Sequence, residues 1–332
     1  MAKRFSLSLH GQGDQISPLL VADSAEKRAT KNRNDPLIMK LRNLLPLGAL
    51  VVALLSACAP TATFQPRHHP SAAPSVVPLV RVQGAPQNPF VRATVNGRPG
   101  LFLVDTGATA TCLDARFAAE LGLKPQATAA GTVKTNVTRG FKTAQVKKLE
   151  LGGHVFENFA VAVLNLDHVD KALGRRMDGL LGMNVLRDAP FTIDQGGGSF
   201  SLGSARPGTP SVPLTLEQGG VFMAMQVRGL NVRMKVDTGT SDTVLTTADF
   251  ARVVASGVAP TNVRMAGNVD VNGYTTNQVA RVLLAESKAG NLTRQNFVLR
   301  EGSDNLLGMD FFKGHVITFD GATGQVWIQA SR

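Results

Sequence analysis

The chain has 332 residues, of which 43% are hydrophobic and 5% aromatic, with 33 glycines and a formal charge of +11. That is enough for one large domain or two of modest size with real cores, and abundant glycine among short apolar runs favours strands and turns over long helices. The positive balance comes without basic clusters or interleaved aromatics, so a nucleic-acid partner is not expected and the charge reads as ordinary surface charge.

In chain order, residues 1–38 are polar, mixed in charge and upstream of a second methionine, Met39; they read as a misassigned N-terminal extension with the true start at Met39. Residues 39–57 then have the anatomy of a signal peptide. Lys40 and Arg42 form the basic start, Leu44 to Leu55 the apolar run and Ser56-Ala57 the small-residue cleavage site. The run is short for a membrane span. Leu55-Ser56-Ala57-Cys58 resembles the lipobox of bacterial lipoproteins, which implies cleavage before Cys58, acylation of that cysteine and a membrane partner through the anchor. A plain secretory signal with an incidental cysteine is the alternative. Ala59 in the next position, where inner-membrane lipoproteins often carry Asp, points to a periplasm-facing anchor in the outer membrane if the organism is Gram-negative. A lipidated Cys58 leaves Cys112 without an intramolecular partner, as a small buried hydrophobe.

Residues 58–78, rich in Pro, Ala, Thr and Ser, are expected to be an extended tether reaching roughly 60 Å at about 3.1 Å per residue. His68-His69 within it has no further ligands nearby in sequence and is not expected to bind a metal.

From residue 79 the decisive feature is internal self-similarity. FVRATVNGRPGLFLVDTGA (90–108) matches FMAMQVRGLNVRMKVDTGT (222–240) without a gap, aligning Gly97 with Gly229 and Asp105 with Asp237. Each copy reads as two short strands around a turn, for which Asn96-Gly97 is a strong hairpin signal. Downstream, DGLLGMNVLRDAPFTIDQGGGSFSL (178–202) aligns with DNLLGMDFFKGHVITFDGATGQVWI (304–328). The chain is therefore a duplication, with lobe one at 79–203, a Pro/Gly/Ser-rich linker at 204–212 and lobe two at 213–332. Between the shared blocks the two lobes are less alike: the lobe-one stretch alternates well, with Gly152-Gly153 marking a turn, and the lobe-two stretch is looser.

One Asp-Thr-Gly is a weak signal, because Asp before Thr-Gly commonly caps a turn. Two copies, each ending an apolar strand and each followed by Leu-Leu-Gly-Met, point to chemistry. Apolar strand ends place a carboxylate in a low-dielectric position, and Gly107 and Gly239 permit close backbone approach. If the lobes pack about a pseudo-two-fold axis, Asp105 and Asp237 face each other, cannot both ionise, and share one proton. Such a pair can activate water and polarise a carbonyl with no metal, no cofactor and no covalent intermediate.

FLVDTGA with GLLGMNVL, and KVDTGT with NLLGMDFF, resemble the two signature blocks of retropepsin-like aspartic proteases, here present twice in one chain. The resemblance implies an all-β fold of two retropepsin-like β-barrel lobes with the active site between them. It makes Asp105 and Asp237 the catalytic pair, with Thr106 and Thr238 holding the opposite loops together. It makes Leu181-Gly182 and Leu307-Gly308 structural supports, and the hairpins near Gly131 to Gly140 and Gly267 to Tyr274 flaps over a peptide or protein substrate. The two-lobed chain is expected to act as a monomer, an endopeptidase in the cell envelope. A non-catalytic peptide-binding lipoprotein of the same fold is the alternative.

Other candidates read as structural. Asp178 and Asp304 look like turn residues, and Asp242 like a solvated loop charge. Arg233 and Lys235 alternate with Val232, Met234 and Val236, suggesting one solvated face. Ala108 in lobe one corresponds to Thr240 in lobe two, whose hydroxyl is expected to donate to Asp237, making Asp237 the more acidic partner and Asp105 the proton carrier.

Overall fold

The computed structural model describes residues 4–5, 63–127 and 141–331 apart from 205, 208–210, 218 and 271–272, with the backbone alone at 4–5, 262–270 and 273–277. Cys58, the signal segment and the hairpin at 131–140 lie outside the described residues. Among those described, no helix is long and apolar enough to cross a membrane.

The elements run from β1 (Arg4–Phe5), parallel to Asn268–Val269, through β2 (Arg67–His69) and β3 (Ser75–Pro78) into lobe one. There β4 (Phe90–Val95), β5 (Arg98–Val104), β6 (Cys112–Asp114), α1 (Ala115–Glu120), β7 (Gln126–Ala127), β8 (Lys142–Leu151) and β9 (His154–Leu164) form the body. Then come α2 (Asp167–Leu173), β10 (Gly179–Leu181), α3 (Met183–Leu186), β11 (Phe191–Asp194) and β12 (Ser199–Leu202). Lobe two opens with β13 (Val212–Pro213), β14 (Thr215–Glu217), β15 (Gly220–Val227), β16 (Leu230–Val236), β17 (Val244–Thr246) and α4 (Thr247–Ala255). It continues through β18 (Pro260–Asp270), β19 (Gly273–Ala289), β20 (Leu292–Gly302), β21 (Leu306–Leu307), β22 (His315–Asp320) and β23 (Gln325–Ala330).

Each lobe closes a ring of six strands. In lobe one the order is β9-β6-β10-β5-β4-β8, sealed by β8 against β9; in lobe two it is β20-β17-β21-β16-β15-β19, sealed by β19 against β20. Directions match strand for strand: β10 is parallel to β5 as β21 is to β16, and β6 to β9 as β17 to β20. The duplication thus extends through the middle of each lobe, where the two sequences have drifted apart. Closure removes free edges and lets short strands share one apolar interior. The hairpin turns follow the local chemistry: Asn96 and Gly97 both take positive φ (48° and 84°), the conformation a two-residue turn requires, and Gly152-Gly153 does the same between β8 and β9.

Beneath the lobes lies a third sheet shared by both, in the order β13-β23-β22-β11-β12-β3. Its centre is the antiparallel pair β11–β22, in which Thr192 lies opposite Thr318, its own counterpart in the repeat. Their hydroxyls are 2.7 Å apart, so the pseudo-two-fold axis passes between them. Phe191 stacks on Phe319 with ring centroids 4.9 Å apart, and Ile193 and Ile317 are buried alongside.

The stretch expected to be an extended tether is largely folded from residue 63 onward. β3 adds to the shared sheet as β13 does from the other side, and β2 pairs antiparallel with β9. Its valines at 76 and 77 alternate outward and inward like any edge strand. The His68 ring stacks on Phe156 at 4.5 Å and its Nε2 lies 3.0 Å from Nδ1 of buried His154; burial lowers the pKa of both imidazoles. A Pro/Ala/Ser composition did not exclude order because lobe one offers two open strand edges for it to complete.

The hydroxyl pair on the axis makes an asymmetric prediction. Thr318→Val leaves the Thr192 hydroxyl facing a methyl group and should cost about 1–3 kcal/mol, whereas Thr192→Val with Thr318→Val together should be close to neutral. Urea denaturation of the two single variants and the double variant checks this as a double-mutant cycle.

Candidate active site

β5 and β16 each deliver an aspartate. Leu101 to Val104 are all buried, as are Val232, Met234 and Val236, which carries both strand ends into the interior. β10 and β21 lie parallel beside them, and the backbone N–H groups of Asp105 and Asp237 donate to the carbonyls of Leu181 and Leu307, each at 3.0 Å. Directly after these leucines, a Cβ on Gly182 would stand 2.5 Å from the carbonyl carbon of Ala110, and one on Gly308 2.4 Å from the Asp242 oxygen. Only glycine admits the crossing of supporting strand and catalytic loop in either lobe. Leu181-Gly182 and Leu307-Gly308 thus lie directly against the two Asp-Thr-Gly loops.

A second support in each lobe was not anticipated. Asn184 Oδ1 accepts from the N–H and hydroxyl of Thr111 at 2.8 and 2.9 Å, and the Thr111 hydroxyl in turn accepts from Gly182 N–H. In lobe two Asp310 takes the same role toward Thr243, with Gly308 N–H donating to the Thr243 hydroxyl. The signal was present in the sequence: Thr111 and Thr243 stand six residues after their aspartates, and Asn184 and Asp310 two residues after their glycines.

The two loops then lock reciprocally. Thr106 N–H donates to Thr238 Oγ1 (3.0 Å) and Thr238 N–H to Thr106 Oγ1 (3.1 Å). Each hydroxyl passes its own proton to the strand behind the opposite loop, Thr106 to Val236 O (2.8 Å) and Thr238 to Val104 O (2.7 Å). Both threonines are completely buried. Asn88, from the segment before β4 and without a counterpart in the repeat, adds a clamp on one side only. It donates to Thr238 O and accepts from the Ser241 hydroxyl.

Between these loops sit Asp105 and Asp237, each with no exposed surface. Asp105 Oδ1 accepts from the N–H groups of Gly107 (2.8 Å) and Ala108 (3.1 Å), and Asp237 Oδ1 from Gly239 N–H (2.8 Å). Burial, then the charge of Asp237, raise the Asp105 pKa well above the usual carboxylate range; the Lys235 charge and the Gly107 N–H oppose this. The Thr240 hydroxyl, expected to donate to Asp237, donates instead to Asp242 O (3.3 Å).

Two side chains depart from their expected roles. Lys235 is buried, with its Nζ donating to Gly107 O across the lobe boundary (2.6 Å), while Arg233 alone faces outward, paired with Glu217 and lying over the Phe222 ring. Asp242 is not a free loop charge but pairs with buried Arg300 at 3.0 Å. Asp178 keeps its turn role, accepting from Leu101 N–H. Cys112 is buried and free, its thiol pKa pushed far up by burial. Among the described residues no group of three or more His, Cys, Asp or Glu is placed to hold a metal ion.

Two six-stranded lobes with mirrored Asp-Thr-Gly loops, joined over a shared sheet, define the class of bilobal aspartic peptidase folds. The family model described as aspartyl protease matches residues 91–185 and again 223–311, more than half of the chain, and the chain belongs to that family. No curated protein matches it.

The Asp105 environment fixes the sign of a stability test. A carboxyl whose pKa is raised on folding binds its proton more tightly in the native state, so its contribution is complete below the unfolded pKa of about 4 and is lost as pH rises through the native value. Asp105→Asn removes that loss. Denaturant unfolding should therefore find the variant more stable than wild type at pH 7.5, with the gap closing toward pH 4.

Proposed function

We propose that the protein is an aspartic endopeptidase in which Asp105 and Asp237 share one proton and hydrolyse peptide bonds directly with water. Membership of the aspartyl protease family supports peptide hydrolysis in general terms. The observation that carries the finer reading is the pair of fully buried carboxylates on loops locked to each other by Thr106 and Thr238. That lock fixes the two reacting groups relative to one another before substrate arrives, the preorganisation that acid–base catalysis needs.

In the proposed reaction the Asp237 carboxylate takes a proton from water as its oxygen bonds to the peptide carbonyl carbon. Asp105 gives its proton to the carbonyl oxygen, leaving a tetrahedral diol. Collapse returns a hydroxyl proton to Asp105 while Asp237 protonates the departing nitrogen, and the C–N bond breaks. Both side chains end as they began. The hairpin of β18 and β19, with Gly267 opposite Thr276 and Val269 opposite Tyr274 in its backbone register, is the described candidate for a flap over the substrate.

Cleavage of a denatured protein mixture between pH 3 and 8 tests the reading. A bell-shaped profile is expected, with Asp105→Asn and Asp237→Asn each lowering kcat by about 10²–10⁴. Thr240→Ala should leave the acidic limb where it is, because its hydroxyl serves the backbone of its own loop. Turnover that survives either Asp→Asn change would defeat the dyad. Retained binding of peptide without cleavage by wild type would favour the non-catalytic alternative.

Location is part of the proposal. Leu55-Ser56-Ala57-Cys58 supports acylation at Cys58 and a periplasm-facing anchor, in the outer membrane if the host is Gram-negative. Metabolic labelling with an alkyne fatty acid should mark the wild type and fail on Cys58→Ser. Label retained on that variant would overturn the anchor.

A further inference from the structure

The two halves of the site differ most at one position. Where lobe one has Leu103, two residues before its aspartate, lobe two has Lys235. Both side chains are buried, Leu103 fully and Lys235 to 7% exposure. A buried lysine is rare unless its charge is compensated. Here Nζ donates to the carbonyl of Gly107 at 2.6 Å, in the loop whose N–H groups hold Asp105, so the contact spans the two lobes.

The surroundings are shaped to admit the side chain. Gly220, at the start of the neighbouring strand, would bring any Cβ to 3.0 Å from Lys235 Cε. The ionisable groups facing the ammonium are Asp237 at the end of its own strand, Asp105 from the opposite loop and Asp304 from the turn before β21. Burial lowers the lysine pKa and these three carboxylates oppose that. The Cys112 thiol, which senses Asp105, is kept neutral by burial and adds no charge.

We propose that Lys235 is a positioning residue of the dyad: it ties β16 to the loop carrying Asp105 and supplies a buried positive counter-charge to the carboxylate pair. With one proton on the pair, a single negative charge remains, and the ammonium neutralises it inside the interface. The same cation favours removal of the second proton, so it moves both limbs of the dyad's titration toward acid. A closely matched pair of lobes thereby gains a fixed electrical difference between its two halves.

The inference rests on the dyad reading above, and a readout independent of turnover separates the two. Protein carrying ¹³C-carboxyl aspartate is titrated by NMR, with Asp105→Asn and Asp237→Asn assigning the dyad resonances. Lys235→Met should raise the upper apparent pKa of the pair by about one unit or more. Lys235→Arg should restore it toward wild type. Lys235→Gln keeps a hydrogen-bond donor for Gly107 O without charge, so it should titrate like Lys235→Met; it also serves if the methionine variant does not fold. In the pH–rate profile the alkaline limb should move by the same amount and direction. Dyad titrations that coincide in wild type, Lys235→Met and Lys235→Gln would overturn the proposal, leaving Lys235 a packing and hydrogen-bonding residue. An NMR shift in a protein that cleaves nothing would uphold it and sink the protease reading instead.

Discussion

Two carboxyl groups with no access to solvent share one interface, and the rest of the molecule is organised around that constraint. Taking a charge out of water costs several kcal/mol, and bringing a second like it alongside costs more. The penalty is reduced in three ways. Backbone N–H groups of the Asp-Thr-Gly loops meet one oxygen of each carboxyl; Asp105 holds a proton more tightly than an exposed aspartate; and the Lys235 ammonium sits within electrostatic reach of both. None of these works unless the loops stay in register. The exchange of hydrogen bonds between Thr106 and Thr238 supplies that register, because neither hydroxyl is satisfied without the other lobe.

The supports behind the loops follow the same logic at one remove. Leu181 and Leu307 take up the aspartate N–H groups, while Gly182 and Gly308 let strand and loop cross at distances no side chain tolerates. Asn184 and Asp310 then hold the threonines that cap those glycines. Burial therefore continues outward through matched polar pairs rather than ending abruptly at the carboxylates. Where the lobes differ, at Asn88, Lys235 and the Asp242–Arg300 pair, the difference adds polar contacts to lobe two or to its catalytic loop.

Much of this was readable in the sequence because duplication supplies its own control. Asp105, Asp237, their threonines and the Leu-Gly supports recur at fixed offsets, and recurrence separates a site from an ordinary turn. The same comparison misled at Lys235. Alternation with Val232 and Met234 is the mark of a half-solvated strand, yet β16 is flanked by β15 and β21 and ends in an interface, so of its two cations only Arg233 reaches solvent. Thr240 was assigned a partner by its nearness in sequence, but its hydroxyl donates to a backbone carbonyl of its own loop. The order of residues 67–78 was invisible because it depends on strand edges supplied by residues 155–157 and 199–202. Local composition cannot report an edge that another part of the chain provides.

The self-pairing of Thr192 with Thr318 also orders events in time. During synthesis lobe one is finished when β12 has emerged, but β11 then has an open edge whose only native partner is β22, more than a hundred residues away. At about 5–20 residues per second the edge waits on the order of ten seconds. The strand best suited to fill it is the equivalent one from another nascent copy, since β11 and β22 are related by the repeat. A protein that joins its halves through a symmetric sheet carries that open edge while half made, and the early strand β3, which covers the far edge of β12, closes only one of the two exposed flanks.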